Sequence, residues 1–444
     1  MRNCSNCRLR AIGDANPTLD ARAAMNVRTR SFMKRDFPVT MTRQPENAMT
    51  PFRLHSAPLA LLVLALTACK ATESPVPATA STPTAGTASA RSLPSQLGEI
   101  RVTEIARGFD HPWALAFLPD GSMLVSERPG RIRRVGQDGA VSAPLAGIPP
   151  VAAKGQGGLL DLALSPDFAA DQRLYFSYAE PGKDGNAGTA VAYATLGPDG
   201  LSGLKVIYQQ QPKLDGANHF GSRLAFDGQG QLFISQGERN DRPSAQQLDR
   251  LQGKLVRVNL EGGIPKDNPF VGQANARPEI WSYGHRNMQG MAFDPRTGKL
   301  WQSEHGPRGG DELNLPQPGR NYGWPIVTHG INYSGLRIPE AEGREKPGME
   351  PPHHVWEKSP GLSGMAFYTG RPGTPWNDSL FLGALAERNL IRLTLQGDRI
   401  VAEERLLDGI GERVRDVRVG PDGNIYALTD ENDGKLLKIE PPAK

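Results

Sequence analysis

FLPDGSMLVS, residues 117–126, is the stretch that decides the fold, because it joins an apolar residue, a Pro-Asp-Gly turn and a short alternating strand. The Asp-Gly pair is the strongest short-range signal for a β-hairpin. Six such copies, about 60 residues apart, match propeller blades with loop insertions. The sequence therefore predicts an all-β fold, a six-bladed β-propeller. The later copies are residues 164–177, 226–235, 293–303, 377–382 and 419–428.

The composition agrees with a turn-rich β-protein, since the 444 residues include 50 glycines and 38 prolines. Two stacked β-sandwiches are the alternative fold, but the even repetition and the lack of an internal linker favour the propeller. The net charge of +4 is small for this length, and no DNA- or RNA-binding motif is present, so we expect no nucleic-acid partner. The only cysteines are Cys4, Cys7 and Cys69, which excludes a disulfide framework after residue 69.

An apolar run at residues 57–67 follows basic residues and leads into Thr-Ala-Cys69. Such a run is too short to span a bilayer and is typical of a secretory signal. The cysteine at the cleavage point resembles a bacterial lipobox. We therefore expect residues 49–69 to be a lipoprotein signal peptide, with Cys69 lipidated and the protein held on the periplasmic side, at the outer membrane. An ordinary signal peptide cut near Ala68 is the alternative.

The segments on either side of this signal have no globular pattern. Residues 1–48 are expected to be untranslated or unstructured, since Met41 or Met49 is a better start. Residues 70–96 are rich in Ala, Thr, Ser and Pro and are expected to form a flexible tether. The folded domain is predicted to occupy residues 97–444.

Four polar segments interrupt the blade pattern, each just before the first strand of a blade. In a propeller the loops that join blades meet at one face around the axis, so residues far apart in sequence converge on one cleft. Taken singly, each segment has a structural explanation, such as a glycine-rich turn, a core histidine or an ion pair on a strand edge. Their equivalent positions favour one shared site. The segments are Lys154–Leu160, Asn218–Leu224, Tyr283–Gly290 and Glu412–Asp416.

The third segment is followed closely by SEHGPRGGDE, residues 303–312. The pair Arg286-Asn287 therefore lies near a Gly-Pro corner, Gly306-Pro307, and a double acid. Guanidinium donors, bare carbonyls and carboxylates within one short span suit an acidic polycyclic cofactor that a hard cation bridges to the protein.

Together these segments resemble the soluble pyrroloquinoline-quinone (PQQ)-dependent glucose/sorbosone dehydrogenases, and most of all their aldose sugar dehydrogenase branch. The resemblance extends from about Leu97 to Glu440. It implies a six-bladed propeller that holds PQQ over its central channel with calcium (Ca2+) and oxidises aldose sugars. The strings that carry it are QGGLL (156–160), HFGSRL (219–224), GHRN (284–287), EHGP (304–307), DE (311–312) and RVRD (413–416).

The resemblance also implies a role for each matching residue in oxidation at the anomeric carbon. His219 would be the general base, since an unperturbed imidazole is largely neutral at working pH, with hydride transfer to the quinone. Arg286, and calcium on the carbonyls of Gly306 and Pro307, would stabilise charge on a quinone oxygen. The implied cofactor contacts are Gln156, Arg286, Asn287, Tyr333, Arg413 and Arg415, and Glu312 with Tyr322 resembles the family's second, structural calcium site.

Three departures from the glucose dehydrogenase pattern matter. Asn218 stands where an Asp precedes the base, so it is expected to orient His219 without stabilising the imidazolium by charge. Ala386 takes the place of a cofactor-contacting lysine, which leaves Ala384 to Ala386 only backbone contacts. The long insertions that build dimers are not evident, which favours a monomer with an open sugar site.

Three functions are compatible with these observations. The favoured one is a PQQ- and calcium-dependent dehydrogenase that oxidises aldoses to lactones and passes electrons to an unknown acceptor. A calcium-dependent propeller lactonase or hydrolase would use the same ion and His219, but would not need Arg413 and Arg415. A non-enzymatic, surface-attached propeller that binds glycans or proteins would explain the tether and blades, but leaves the base and the calcium corner without a purpose.

Overall fold

The computed structural model describes residues 84–85 and 90–443, which form six antiparallel sheets arranged in a ring. The predicted six-bladed β-propeller is therefore confirmed. The predictions for residues 1–48, for the signal peptide at 49–69 and for Cys69 lie outside the described residues. Within the described ranges, no helix has the length and apolar character needed to cross a membrane.

The innermost strand of each blade contacts the innermost strand of the next, and these contacts close around the axis. The first blade has three strands, and the second to fifth have four each. Among the described residues, helical structure is confined to the helix α1 (Phe168–Asp171) and two short 3-10 segments, Lys183–Gly185 and Arg242–Gln246. The strands are β1 (Thr84–Ala85), β2 (Ala90–Leu93) and β3 (Ile100–Phe109); β4 (Pro112–Phe117), β5 (Met123–Glu127) and β6 (Arg131–Val135) in the first blade; β7 (Leu159–Leu164), β8 (Arg173–Pro181), β9 (Ala187–Leu196) and β10 (Leu201–Gln209) in the second; β11 (Gly221–Phe226), β12 (Gln231–Gln236), β13 (Lys254–Asn259) and β14 (Ile280–Tyr283) in the third; β15 (Met288–Phe293), β16 (Leu300–Glu304), β17 (Asp311–Asn314) and β18 (His354–Trp356) in the fourth; β19 (Leu362–Phe367), β20 (Ser379–Ala384), β21 (Asn389–Gln396) and β22 (Arg399–Leu406) in the fifth; and β23 (Val414–Val419), β24 (Ile425–Thr429) and β25 (Gly434–Glu440) in the sixth.

The sixth blade is completed by β3, which pairs antiparallel with β25. The other edge of β3 pairs with β2, so that Ala90 faces Thr103 and Leu93 faces Ile100. The predicted boundary of the tether at residue 96 is therefore wrong, because part of that segment is a strand. An open strand edge offers a row of unpaired amides and carbonyls, and an extended segment can pair with them whatever its composition.

The six sequence repeats form, or lead into, the hairpin between the first two strands of each blade. In the first blade, β4 ends at Phe117 and β5 begins at Met123. Gly121 in this turn has a φ of +80°, a left-handed conformation that glycine adopts without a Cβ clash. All these turns lie on one face of the ring, so the linkers that precede the first strands lie together on the opposite face.

A buried ionic network crosses the axis between the innermost strands. Arg223, only 1% exposed, donates from Nη1 to Asp161 Oδ1 at 3.0 Å and to Asp416 Oδ1 at 2.9 Å. Arg418 donates to the same two carboxylates at 2.8 and 2.9 Å. The Leu115 amide donates to Asp416 Oδ2 at 2.9 Å. The network thus joins β4, β7, β11 and β23 to one another.

Candidate functional site

Two adjoining cavities lie on the face where the linkers between blades meet. The first has a volume of about 310 Å³, and its wall includes the predicted residues Gln156, Arg413 and Arg415. Two residues that the sequence analysis missed, Arg128 and Asp430, line it as well. The first, second and sixth blades thus bring these side chains together, as expected for linkers around a propeller axis.

The second cavity has a volume of about 660 Å³ and shares His305, Leu385 and Arg413 with the first. It is formed by the turns after β16 and β20 and by the long loop between β17 and β18. Four more of the predicted residues line this cavity, namely Gly306, Pro307, Tyr333 and Ala386.

Ala384, in contrast, does not face either cavity. Its methyl group is fully buried in the core, and its backbone is paired with Leu362 on one side and Asn389 on the other. A contact of Ala384 with the cofactor therefore stays a prediction, and it can involve only backbone atoms. Leu385, the next residue, lines both cavities, and its carbonyl accepts a hydrogen bond from Arg413 Nη1 at 3.1 Å.

His219 lies buried beside the first cavity, with its imidazole Nδ1 2.5 Å from Glu238 Oε2. Its amide donates to Gln156 Oε1 at 2.9 Å, which ties the histidine to the cavity wall. Its φ of +55° is uncommon for a residue with a Cβ, so the surrounding structure must impose this conformation. A buried imidazole held by a carboxylate is a suitable arrangement for a general base.

Glu238, rather than Asn218, orients this histidine. The Asn218 side chain is exposed, while its carbonyl accepts a hydrogen bond from Arg239 Nε at 2.9 Å. The expectation that Asn218 orients His219 is therefore wrong, and a carboxylate from the loop after β12 takes that place. The only sequence signal for it was the acidic residue in the string GERN, residues 237–240, directly after a strand.

Burial lowers the pKa of His219 below the usual imidazole range, because the charged form loses its hydration. The Glu238 carboxylate raises this pKa, and the guanidiniums of Arg286 and Arg239 lower it again. The imidazole is therefore neutral at neutral pH and able to accept a proton.

Arg286 places a fixed positive charge at the Gly306–Pro307 corner. Its Nη1 donates to the carbonyl of His305 at 3.1 Å and to that of Gly306 at 2.7 Å. Asp311 fixes the corner, since its Oδ1 accepts from the Gly306 amide at 3.0 Å. One of the carbonyls expected to bind calcium thus already accepts a guanidinium, and its second lone pair remains for another partner.

Arg413 and Arg415 both face Asp430. Arg415 Nη2 lies 2.6 Å from Asp430 Oδ2, and its Nη1 donates to Gln289 Oε1 at 3.0 Å. Arg413 Nη2 lies 3.8 Å from the same carboxylate. Burial raises the pKa of Asp430, but Arg415, Arg128 and Arg413 outweigh it and lower the pKa to about 2. The three arginines outnumber the two acids that line this cavity, which favours an anionic ligand.

Glu312 and Tyr322, the expected second calcium site, lie near buried oxygen atoms that lack donors. Burial raises the pKa of Glu312 well above the carboxyl range, and Glu304 raises it further. The side-chain oxygens of Asn314 and Gln302 have no hydrogen-bond partner in the described chain. Residues 84–85 and 90–443 hold no group of three His, Cys, Asp or Glu side chains arranged for a metal. A hard divalent cation fits this donor set, because it accepts amide, carbonyl and carboxylate oxygens together.

The first cavity also fits an acidic ligand with several hydrogen-bond acceptors. Arg128 Nε and Arg415 Nε, on side chains that line it, and Asn287 Nδ2, behind the lining residue Gly221, are buried donors without a partner among the described residues. Asn287 is fixed through its Oδ1, which accepts from the Gly221 amide at 3.1 Å. Such donors cost free energy until a ligand supplies acceptors. The residues present therefore fit a polycarboxylate quinone such as PQQ.

Comparison with known proteins agrees with this geometry. The Glucose / Sorbosone dehydrogenase family model matches residues 109–438. Aldose sugar dehydrogenase YliI of Escherichia coli strain K12 is 53% identical over 345 residues, covering 77% of this chain and 93% of the relative. A crystal structure of a glucose dehydrogenase is 61% identical with a TM-score of 0.75, covering 76% of this chain and 98% of that one. The PQQ-bound aldose sugar dehydrogenase of Streptomyces coelicolor is 28% identical with a TM-score of 0.62, covering 80% and 100%.

Proposed function

Because this chain belongs to the glucose/sorbosone dehydrogenase family and is an oxidoreductase with a quinone cofactor, we propose that it oxidises aldose sugars at the anomeric carbon to lactones, with PQQ and calcium. The observation that carries the proposal is the buried His219–Glu238 pair beside a cavity lined by arginines. The pair supplies a base for the hydroxyl proton, and the arginines supply binding for an acidic cofactor.

In this reaction the aldose loses the proton of its anomeric hydroxyl and a hydride from the same carbon, which leaves the lactone carbonyl. His219 accepts the proton at Nε2, because its Nδ1 faces Glu238. Glu238 fixes the tautomer of the ring and stabilises the imidazolium that forms. When bound, PQQ would supply the acceptor for the hydride, and calcium would supply positive charge beside it.

The remaining side chains hold the cofactor in place. Arg413 and Arg415 bind its carboxylates, since a planar guanidinium matches a carboxylate with two parallel hydrogen bonds. Arg286 adds a fixed positive charge next to the calcium corner. The other proposed contacts are Gln156, Asn287 and Tyr333 for the cofactor, Gly306 and Pro307 for one calcium ion, and Glu312 and Tyr322 for the second.

The pH dependence of turnover tests the His219–Glu238 pair. Because burial lowers the pKa of His219, the acid limb of kcat is expected below the ordinary imidazole value of about 6.5. Glu238→Gln removes a charge that raises this pKa, so the acid limb should move to still lower pH while the maximal rate falls. The two pH–rate profiles measure this effect. An acid limb that stays in place or moves upward would show that Glu238 does not act on the base.

Dye reduction by the purified, quinone-free protein tests the whole reaction. PQQ, Ca2+ and a panel of aldoses are added singly and together, to the natural protein and to the His219→Ala variant. Turnover that requires quinone, sugar and His219 supports the dehydrogenase. Hydrolysis of lactones by the same sample, without quinone binding or dye reduction, would replace it with the lactonase.

We also propose that Cys69 is lipidated and holds the protein, as a monomer, on the periplasmic side of the outer membrane, where it meets an unknown electron acceptor. The support is the short apolar run that ends in Thr-Ala-Cys69. Cys69→Ala is expected to abolish incorporation of radiolabelled palmitate into the protein. Equal labelling of the two proteins would contradict the anchor.

A further inference from the structure

One wall of the second cavity has charge and hydrogen-bonding capacity that the contacts above do not use. Lys358 lines this cavity and is exposed. The carboxylate beside it, Glu357, lies 2.8 Å from Arg344 and so is already neutralised by another cation. Ser359 lines the same cavity, and its buried hydroxyl has no hydrogen-bond partner in the part of the chain that the structure describes.

The segment that carries Lys358 is fixed against the turn that carries Ala386. The Pro360 carbonyl accepts a hydrogen bond from the Ala386 amide at 2.8 Å, and the Gly361 carbonyl accepts one from the Leu385 amide at 2.8 Å. A Cβ on Gly361 would lie only 2.9 Å from the Ala386 nitrogen, so the two backbones are in close contact. Ala386 ends in a methyl group, and the one arginine of this turn, Arg388, donates to the Gly411 carbonyl and does not line the cavity.

An acid with carboxylates on more than one edge is bound best by cations on more than one wall. Arg415 lines the first cavity, and Arg413 lines both cavities. Lys358 adds a flexible ammonium to the lining of the second cavity, and Ser359 adds an unpaired hydroxyl. An ammonium is a compact charge with three donors, which suits an anionic group in a cavity open to water.

We propose that Lys358 and Ser359 bind an anionic edge of the quinone cofactor, and that Lys358 thereby supplies the positive charge that Ala386 lacks. This inference rests on the proposed quinone function. It assigns cofactor contacts to two residues on the linker between the fourth and fifth blades.

Titration of the quinone-free protein with PQQ in the presence of Ca2+ tests the inference by affinity, with quenching of tryptophan fluorescence as the readout. Lys358→Ala should weaken PQQ binding about tenfold, the magnitude of one lost hydrogen bond to a charged group. Ser359→Ala should weaken it less, and Lys358→Arg should keep most of the affinity. Lys266→Ala is the matched control, because Lys266 is an exposed lysine in the loop between β13 and β14, on the opposite face of the ring.

The double variant Lys358→Ala/Ala386→Lys tests whether PQQ affinity depends on a positive charge in this cavity or on a lysine at position 358 itself. Ala386 is exposed, so a lysine is tolerated there and should restore the affinity that the single variant loses. Arg308 also lines the second cavity and is the competing cation. If Lys358→Ala binds PQQ as tightly as Lys266→Ala, or if Arg308→Ala alone weakens binding, the inference is wrong. If the natural protein itself does not bind PQQ, the proposed function fails, and the two failures are therefore distinguishable.

Discussion

His219→Ala is expected to lower kcat by about a hundred- to ten-thousandfold, the usual contribution of a positioned general base. The anomeric hydroxyl would then have to lose its proton to water as the hydride leaves. Binding of PQQ should change little, because the arginines and Asn287 remain in place. Single-turnover reduction of the bound quinone by an aldose measures the chemical step, and fluorescence titration measures the affinity.

Asn218→Ala is the matched control for this experiment. Asn218 is the neighbour of the base in the sequence, but its side chain is exposed and makes no hydrogen bond with His219 among the described residues. The control should therefore retain the natural rate. A His219→Ala variant that keeps more than a tenth of the rate would show that another group accepts the proton.

Asp416→Ala is expected to reduce the free energy of unfolding by about 3–5 kcal/mol, the cost of removing one partner from a buried ionic network. Asp416 accepts hydrogen bonds from Arg223, from Arg418 and from the Leu115 amide. Its removal leaves two guanidiniums facing only Asp161, and Arg223 is too deeply buried for water to replace the lost charge. Denaturant unfolding curves, followed by fluorescence, measure the change.

Glu342→Ala is the comparison for this variant, because it also removes a paired carboxylate. Glu342 lies 2.8 Å from Lys346, but its side chain is 60% exposed, so the loss should stay below about 1 kcal/mol. Similar losses in the two variants would show that the axial network contributes no more than a surface ion pair. Dissection by further single and double substitutions would then be unnecessary.

The blades could be predicted from the sequence because their signals are local. Asp120-Gly121 and Asp422-Gly423 specify a turn by themselves, and the alternation that follows specifies a strand. Strand Ala90–Leu93 could not be predicted in this way, since its sequence, Ala-Arg-Ser-Leu, has no clear strand preference. It exists because the edge of Ile100–Phe109 offers partners, and that edge is visible only in the folded ring.

The site was predictable to the extent that position within the blade determines it. Gln156 and Arg413 lie just before the first strands of their blades, Arg415 lies at the start of one, and all three line one cavity. Glu238 lies in the loop after the second strand of its blade, 19 residues after His219. Asn218 is next to His219 in the sequence, and for that reason it was predicted to orient the base.

The pairing of β3 with β25 has a consequence for how the protein is made. Ile100–Phe109 leaves the ribosome long before Gly434–Glu440. The edge of β3 that pairs with β25 therefore stays unpaired until translation reaches the last strand. Such distant pairings form slowly, and an unpaired strand edge can meanwhile pair with a neighbouring chain. A translation product that stops before residue 434 lacks β25, so one edge of β3 stays open, and we expect this product to aggregate. Pairing of β25 with β3 closes that edge.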